Sequence, residues 1–316
     1  MKGILKKSLA LFFRPYFYFY VSWPIWFLLL NRQGRRLYQK TSRPTAEIEA
    51  RLPRELKKNG IAAVHIDELF PEKNLFPVLR QYADTLLPLA RTREGKPFLK
   101  ALWADDHMLD LSNPFMRLAL SEPVLAVVNG YMGMYSKFFY SSLDLTLPVG
   151  ENSSRVRSQN WHRDPEDLKM CKMFLYLTDV DESAGPFTYI ASSQYGGRWN
   201  TIAPQKPPKG SYPPDGLVES RVLPADIKAC TGRAGTIVFA DTAGLHRGGY
   251  AKTKERLMFT AEYSSKASLR PIRYRYPENF EMDSLNTMAR FAVENKFGLL
   301  RPLNTISDFC LKYGFY

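Results

Sequence analysis

The pattern of apolar and polar positions divides the chain into a helical first half and a strand-rich second half. Apolar residues three and four positions apart predict helices at 75–90 and 115–128. A shorter helix is predicted at 45–58, where the chain approaches Gly60, and the apolar run that follows it, 61–66, predicts a strand.

From Tyr135 onward, short runs rich in aromatic and β-branched residues alternate with Gly, Pro, Asp and Ser, which is typical of a β-sandwich or barrel. Runs at 137–147 and 155–161 flank a turn-forming stretch and predict a hairpin. Further strands are predicted at 172–178, 187–190, 218–223, 236–240 and 256–264, and helices at 284–297 and 305–313. We therefore expect four parts: a basic aromatic segment at 1–44, a helical part of the main domain at 45–134, a β core at 135–265 and a helical extension at 266–316.

The amino-terminal segment is unusual because residues 8–30 are almost wholly apolar and aromatic and have basic flanks. Of the 44 basic residues, nine lie in 1–46 without any acidic residue, which leaves 35 against 31 acidic residues in the remainder. Arg14, Pro15 and Pro24 interrupt the apolar run, so it predicts an interfacial or re-entrant segment better than a spanning helix. We expect residues 1–43 to contact anionic lipid; the alternative is an aromatic arm packed on the domain.

This uneven charge also bears on partners and location. A net charge of +13 would suggest nucleic acid if it were spread along a groove, but it lies beside an apolar run, so no nucleic-acid partner is predicted. Cys171, Cys230 and Cys310 are odd in number and lack zinc-site spacing, which favours reduced thiols in a cytosolic protein over one disulfide plus a free thiol. The expected location is cytoplasmic, peripheral or monotopic on the cytoplasmic membrane face.

Candidate metal ligands follow two predicted strands. His162 and Asp164 are two residues apart at the end of one strand, so their side chains share a face, and His246 follows another strand. Two imidazoles and one carboxylate can hold iron(II) on one side and leave the opposite positions open. A structural zinc site would more often use thiolates, and no cysteine adjoins these residues.

An arginine strengthens this interpretation. Arg256 begins the apolar run RLMFTAEY, ten residues after His246. A guanidinium directed inward among apolar neighbours is costly to bury without an anion. A dicarboxylate cosubstrate would supply that anion, because the guanidinium can bind a carboxylate with two parallel hydrogen bonds.

The segments SQNWHRD, KMFLYLTDVDESAGPFTYIASSQ and GTIVFADTAGLHRGG resemble successive strands of the phytanoyl-CoA dioxygenase family over residues 135–265. The resemblance implies a mainly β fold with flanking helices and a double-stranded β-helix core, which is a cupin-like jelly roll. It also implies iron(II), 2-oxoglutarate and O2, with hydroxylation of an unactivated C–H bond. Because Asp164 occupies the position that related halogenases give to a small residue, hydroxylation is favoured over halogenation.

Several positions are less specific. Gln159 and Tyr176 are candidates to contact the cosubstrate or to pack the barrel, and Gly248 stands where many relatives have a hydroxyl residue. A proline-glycine-serine-histidine stretch of the family is replaced by 191–194, which leaves the substrate class open. His65 and His107 lack ligand-type partners and are predicted to be structural. The proline-rich stretch 199–214 is either a lid or a surface loop.

The sequence thus predicts an iron and 2-oxoglutarate dependent hydroxylase, acting on a lipid or lipid-linked molecule at the membrane surface. One alternative is a hydroxylase of a soluble small-molecule metabolite whose aromatic arm packs or oligomerises. A second alternative, from another class, is a jelly-roll binding module that has lost catalysis.

Overall fold

The computed structural model describes residues 15, 18–41, 46–71, 74–92, 98–103, 108–150, 153–205, 210–268 and 274–294. The strands are β1 Ile61–His65, β2 Leu99–Ala101, β3 Lys137–Thr146, β4 Cys171–Tyr176, β5 Phe187–Ile190, β6 Ile227–Cys230, β7 Thr236–Ala240, β8 His246–Arg247 and β9 Arg256–Ser264. Predictions for 305–313, His107 and Cys310 lie outside these ranges, as do residues 1–14 of the aromatic segment.

Two antiparallel sheets face each other. The larger has the order β1-β7-β4-β9-β3-β2 and the smaller the order β6-β5-β8. A bridge between His162 and His246 extends the smaller sheet beside β8. Most chain segments from β3 to β9 pass from one sheet to the other, which is how a jelly roll is wound. The predicted mainly β fold with flanking helices and a double-stranded β-helix core is confirmed.

The two faces of the larger sheet have different roles because successive strand residues point to opposite sides. On β9, Leu257, Phe259 and Tyr263 belong to the large apolar core that the sheet shares with the helices. The ring centroid of Phe259 lies 4.8 Å from that of Phe115, in one of those helices. The alternate residues of β9, including Arg256 and Glu262, therefore point into the space between the sheets, where the polar groups of the site collect.

The helices cover the outer face of the larger sheet and one end of the barrel. They are α1 Arg32–Thr41, α2 Glu47–Asn59, α3 Ile66–Leu69, α4 Leu75–Thr92, α5 Pro114–Ala119, α6 Glu122–Met132, α7 Leu217–Arg221 and α8 Thr287–Val293, and a π-helix at Ile25–Leu30 precedes α1. Helix α2 ends at Gly60, whose φ of 76° and N–H bond to the Leu56 carbonyl form a left-handed cap before β1.

Two predicted strands are wrong. The 155–161 run contains a single 3-10 turn, Arg157–Gln159, because the Gln159 amide binds both the Val156 N–H and the Gly249 carbonyl and fixes a turn there. The predicted hairpin is therefore absent, and β3 pairs with β9 and β2. Most of the 218–223 run lies in α7, which ends at Arg221. Val218 and Val222, the residue that caps this helix, are four apart and both are buried against the barrel.

Elements at the margins of the fold also differ from the predictions. Strand β5 pairs with β6 on one side and with the two-residue β8 on the other, and the sequence predicted neither β6 nor β8. The predicted helix at 284–297 is shorter among the described residues: α8 begins after Asn286, whose side-chain oxygen accepts from the Ala289 N–H, and a 3-10 turn precedes it.

The described part of the amino-terminal segment packs against the domain. Trp26 is fully buried, and its indole Nε1–H donates to Asp167 Oδ1 at 2.5 Å. Trp23 stacks on Phe27 and on Tyr195, with ring centroids 4.7 and 5.2 Å apart. For these rings, the alternative of an aromatic arm packed on the domain is therefore correct. Among the described residues, no helix combines the length and apolar character needed to cross a bilayer.

Candidate metal centre

Hydrogen bonds between backbone groups fix the positions of the three predicted metal ligands. His162 and His246 exchange two N–H···O bonds of 2.9 and 3.0 Å across the antiparallel bridge. Their imidazole centroids consequently lie 4.1 Å apart on one face. Asp164 is two residues beyond His162, and its N–H binds the Thr242 carbonyl at 2.9 Å. The strand β8 and the loop that leads into it thus hold all three side chains together.

The side-chain geometry fits a metal ion. Nε2 of His162 lies 3.6 Å from Asp164 Oδ1, and Nε2 of His246 lies 3.5 Å from Oδ2. One ligand atom from each of the three residues falls within 4.8 Å of the others. Each imidazole also places Nδ1 next to a backbone carbonyl, that of Asn160 at 2.9 Å and that of Gly244 at 3.0 Å. A carbonyl only accepts, so Nδ1 donates and the Nε2 lone pair is available to a metal.

The charges at this site also favour metal binding. Burial and the neighbouring His162 lower the pKa of His246 to about 3, so this imidazole is neutral at physiological pH. Burial would raise the pKa of Asp164, but Lys172 and the two histidines outweigh it and hold the pKa well below its usual range. The centre therefore presents a neutral imidazole and a carboxylate to a divalent cation, with no protons to displace from either.

Two charged residues that the sequence analysis did not identify lie near the candidate metal ligands: Lys172 contacts Asp164, and Glu262 contacts Lys172. Lys172 Nζ lies 2.7 Å from Asp164 Oδ2 and 3.0 Å from Glu262 Oε2. Glu262 has no exposed surface, and burial raises its pKa while the ammonium opposes the rise. The alternation of strand residues could have revealed both, because Lys172 shares a face with Tyr176, and Glu262 shares one with Arg256.

Arg256 lies inside the barrel, as predicted. It is 3% exposed and donates to the Gly185 carbonyl and, at 3.3 Å, to Thr146 Oγ1. Gly185 has a φ of 69°, and a Cβ there would meet the Ala251 nitrogen at 2.5 Å, so the turn that offers this carbonyl requires glycine.

The Arg256 guanidinium keeps unused binding capacity. Within the described ranges its Nε has no hydrogen-bond partner, and the guanidinium forms no ion pair. Burial lowers the pKa of Arg256, while the charges of Tyr176 and Asp144 oppose this shift. A buried cation in this state is costly, so the site fits an anion that is absent from the protein itself.

One side chain, that of Phe187, lies between the turn that binds Arg256 and the candidate metal ligand His246. Two residues beyond Gly185, the Phe187 ring lies 5.5 Å from the His246 ring and 4.6 Å from the Phe174 ring. A Cβ on Gly249 would lie 3.8 Å from Arg256 Nη2, so glycine leaves space on that side of the guanidinium. The triad and the arginine therefore border a shared barrel interior with apolar walls.

The two softer candidates are bound to the backbone. Gln159 is buried, and both ends of its amide are used, by the Val156 N–H and the Gly249 carbonyl. Tyr176 is inside the barrel with its hydroxyl donating to the Cys230 carbonyl at 2.7 Å. Contact between either residue and a cosubstrate stays a prediction.

Arg163, between two metal ligands, organises the following loop. It is 3% exposed and donates to six backbone carbonyls, those of Ser193, Trp199, Asn200, Ile202, Ala203 and Ala243. Its backbone pairs with Ser211, and the next ring, Tyr212, stacks on His162 with centroids 5.5 Å apart. The described parts of 199–214 thus lie beside the candidate metal centre, and Tyr212 is 62% exposed there.

The remaining predicted positions have structural surroundings. His65 caps α3 by accepting from the Asp67 N–H, and its Nε2 adjoins the Ala234 carbonyl. Cys171 and Cys230 are both free thiols, so neither is in a disulfide. In the altered 191–194 stretch, Ser193 Oγ accepts from the Leu245 N–H, which ties this turn to the residue before His246.

No protein-family model and no curated protein matches the sequence. Among solved structures, that of the epimerase SnoN in complex with Fe3+, alpha ketoglutarate and nogalamycin RO is similar, with a TM-score of 0.51, 17% identity and coverage of 74% of this chain and 92% of that chain. For EctD from S. alaskensis with bound Fe, the TM-score is 0.49, the identity 16% and the coverage 76% and 85%. The SnoN similarity shows that this chain has the same fold.

Proposed function

We propose that this protein is an iron(II) and 2-oxoglutarate dependent dioxygenase that hydroxylates an unactivated C–H bond. The observation that carries the proposal is Arg256: a fully buried guanidinium with an unpartnered Nε, in the same barrel interior as a metal-type triad. A dicarboxylate with one end on the metal and the other on the arginine accounts for both features.

Each residue has a defined part in this proposal. His162, Asp164 and His246 would hold iron on one side, and Arg256 would bind the distal carboxylate of 2-oxoglutarate. With dioxygen, the bound iron and cosubstrate supply an oxidant strong enough to break an aliphatic C–H bond. The aromatic rings of Phe174 and Phe187 keep water from the interior, which strengthens the arginine-carboxylate pair.

Two further observations support parts of this proposal, one the cofactors and the other the reaction type. SnoN, which shares the fold, was solved with Fe3+ and alpha ketoglutarate. Because that protein is described as an epimerase, hydroxylation by this chain rests on its own residues: Asp164 keeps its carboxylate as a metal ligand. The three motif segments support placement in the phytanoyl-CoA dioxygenase family as part of the same proposal.

The test is succinate formation from 2-oxoglutarate by protein loaded anaerobically with iron(II) and then exposed to O2. We expect slow turnover without substrate, and we expect His162→Ala to reduce it to the level of metal-free protein because a ligand is lost. His65→Ala is the matched control, since that histidine lies outside the triad, and it should keep the native rate. Native protein that binds iron but neither binds nor consumes 2-oxoglutarate would contradict the proposal and favour a binding module.

We further propose that the enzyme acts at an anionic membrane surface, on the cytoplasmic side, on a lipid or lipid-linked substrate. Although Trp26 is buried, apolar residues on the other side of the arm are exposed: Phe19 by 60%, Leu28 by 55% and Leu29 by 64%. The next helix, α1, exposes Arg32, Arg36 and Lys40, which are four residues apart and share one face. Apolar side chains beside a basic stripe suit the headgroup layer.

The arm is also next to the metal-bearing loop. Asp167, which accepts from Trp26, is three residues after Asp164. A cavity of about 280 Å³ lies between Tyr18 and Val21 of the arm and Gln205 and Ala243 of the barrel loops. Membrane contact through this arm would therefore bring a lipid-bound substrate near the catalytic end of the barrel.

Vesicle flotation tests the membrane proposal. Full-length protein should float with vesicles containing phosphatidylserine, and replacing Arg32, Arg36 and Lys40 with glutamine should weaken binding about 100-fold, at about 1 kcal/mol per basic residue. Leu28→Ser with Leu29→Ser should also weaken it, whereas Leu89→Ser, which alters a leucine 57% exposed on α4, should not. No flotation of the native chain would support the soluble-metabolite alternative, and equal flotation of the native chain and all variants would show that these five residues are not the membrane contact.

A further inference from the structure

Lys172 is placed to control how Asp164 can meet a metal. Its Nζ lies 2.7 Å from Asp164 Oδ2, and the contact meets the criteria of a hydrogen bond. Both carboxylate oxygens face the histidines, Oδ1 at 3.6 Å from Nε2 of His162 and Oδ2 at 3.5 Å from Nε2 of His246, and the ammonium engages the second of them.

The lysine is itself held from the opposite side. Lys172 and Glu262 are directly paired in register on β4 and β9, and Glu262 Oε2 lies 3.0 Å from Nζ as an ion pair. Tyr140, which pairs with Glu262 on β3, places its ring centroid 5.7 Å from Nζ. With Lys172 only 9% exposed, the ammonium has little freedom to leave this position.

We propose that Lys172, anchored by Glu262, is a positioning residue that restricts Asp164 to binding the metal through one oxygen. This inference rests on the proposed function and adds a residue pair to it. A carboxylate bound through both oxygens would take a second coordination position. The lysine thus keeps open the positions that a chelating 2-oxo acid and dioxygen need.

An argument from charge supports the pairing. A lone ammonium beside a metal would repel the ion, and a lone buried glutamate would be costly. Paired at 3.0 Å, the two side chains lower each other's cost of burial, and the lysine still donates to Asp164 Oδ2.

The first measurement is water-proton relaxation of protein loaded with Mn(II), which reports the number of water molecules on the metal and does not require 2-oxoglutarate. Three protein ligand atoms on an octahedral ion leave three positions for water. If Asp164 binds through both oxygens, two remain, so Lys172→Met should lower the relaxation enhancement by about one third. Lys172→Arg, which retains a cationic donor, should lower it less.

The second measurement is 2-oxoglutarate affinity for the anaerobic iron(II) protein. We expect Lys172→Met to lower it about 10-fold, or ~1.4 kcal/mol, because a carboxylate bound through both oxygens takes a coordination position that the chelating 2-oxo acid needs. Lys169→Met is the matched control: this partly buried lysine donates to the Tyr131 carbonyl at 2.7 Å and contacts none of the three ligands, so both readouts should stay native.

The outcomes separate the two proposals. Native water number and native cosubstrate affinity in Lys172→Met would overturn the role of Lys172. If that variant loses bound water but no form of the protein binds 2-oxoglutarate, the proposed function fails and the role of Lys172 in orienting Asp164 stands. If Lys172→Met does not fold, the double variant Lys172→Met with Glu262→Leu replaces the whole buried pair by apolar groups, a change that proteins often tolerate. We expect this double variant to show the reduced water number predicted for Lys172→Met.

Discussion

Replacing Arg256 with methionine is expected to weaken 2-oxoglutarate binding about 100-fold or more, because a buried carboxylate would lose its charged partner. Methionine fills a similar volume, so the barrel should stay folded; it also removes a cation whose burial has no ion-pair compensation in the described residues. Isothermal titration of the anaerobic metal-loaded protein with 2-oxoglutarate measures the effect. The same titration of metal into apoprotein should be near native, since Arg256 is not a ligand.

Two companion variants make this result specific. Arg256→Lys retains the charge but not the paired donors, so its affinity should fall between those of the native and methionine forms. Arg91→Met removes an exposed arginine whose partner, Glu255, precedes Arg256 in the chain, and it should not change cosubstrate affinity. A native affinity in Arg256→Met would mean that 2-oxoglutarate, if it binds, uses another cation.

Replacing Arg163 with methionine is expected to destabilise the fold by about 3–5 kcal/mol. Six carbonyl oxygens of 193–203 and 243 converge on this guanidinium, and burial lowers its pKa to about 10. Without it, several buried acceptors lose their donor, and a methionine cannot replace it. Urea denaturation followed by circular dichroism measures the change in unfolding free energy.

The neighbouring exposed arginine provides the control. Arg198 has 60% of its side chain exposed and lies over the Trp199 ring, so Arg198→Met should change the unfolding free energy by about 0.5 kcal/mol or less. In Arg163→Met, limited proteolysis should also cut faster within 199–205, because this segment loses its anchor. If Arg163→Met unfolds at the same urea concentration as the native protein, the six carbonyls have other donors and Arg163 is not needed for stability.

Much of the candidate site could be predicted from local pattern. His162 and Asp164 are two residues apart, which places both side chains on one face of an extended chain, and Arg256 begins an apolar run ten residues after His246. The barrel itself was predictable from short apolar runs separated by turn residues. These features depend on neighbours within about ten residues, which a single sequence displays directly.

The two strands that the sequence predicted wrongly lie where side-chain contacts with distant segments decide the backbone conformation. The 155–161 run has strand-forming residues, yet the Gln159 amide reaches the Gly249 carbonyl and fixes a turn. In 218–223, the four-residue spacing of Val218 and Val222 was compatible with either element, and burial against Trp161 and Leu245 selected the helix. Tertiary packing selects the secondary structure in both runs, and the propensities of neighbouring residues do not reveal that packing.

By itself, the sequence determined the fold class, the three metal-type ligands and the inward arginine, because each depends on a short-range repeat or spacing. Only the tertiary structure decided the rest. It brought Lys172 of β4 and Glu262 of β9 to Asp164, directed Arg163 to a loop up to 40 residues ahead, and joined Trp26 to Asp167 across 141 positions. Contacts between distant parts of a chain form only when the whole sheet and its helices pack, so no local pattern specifies them.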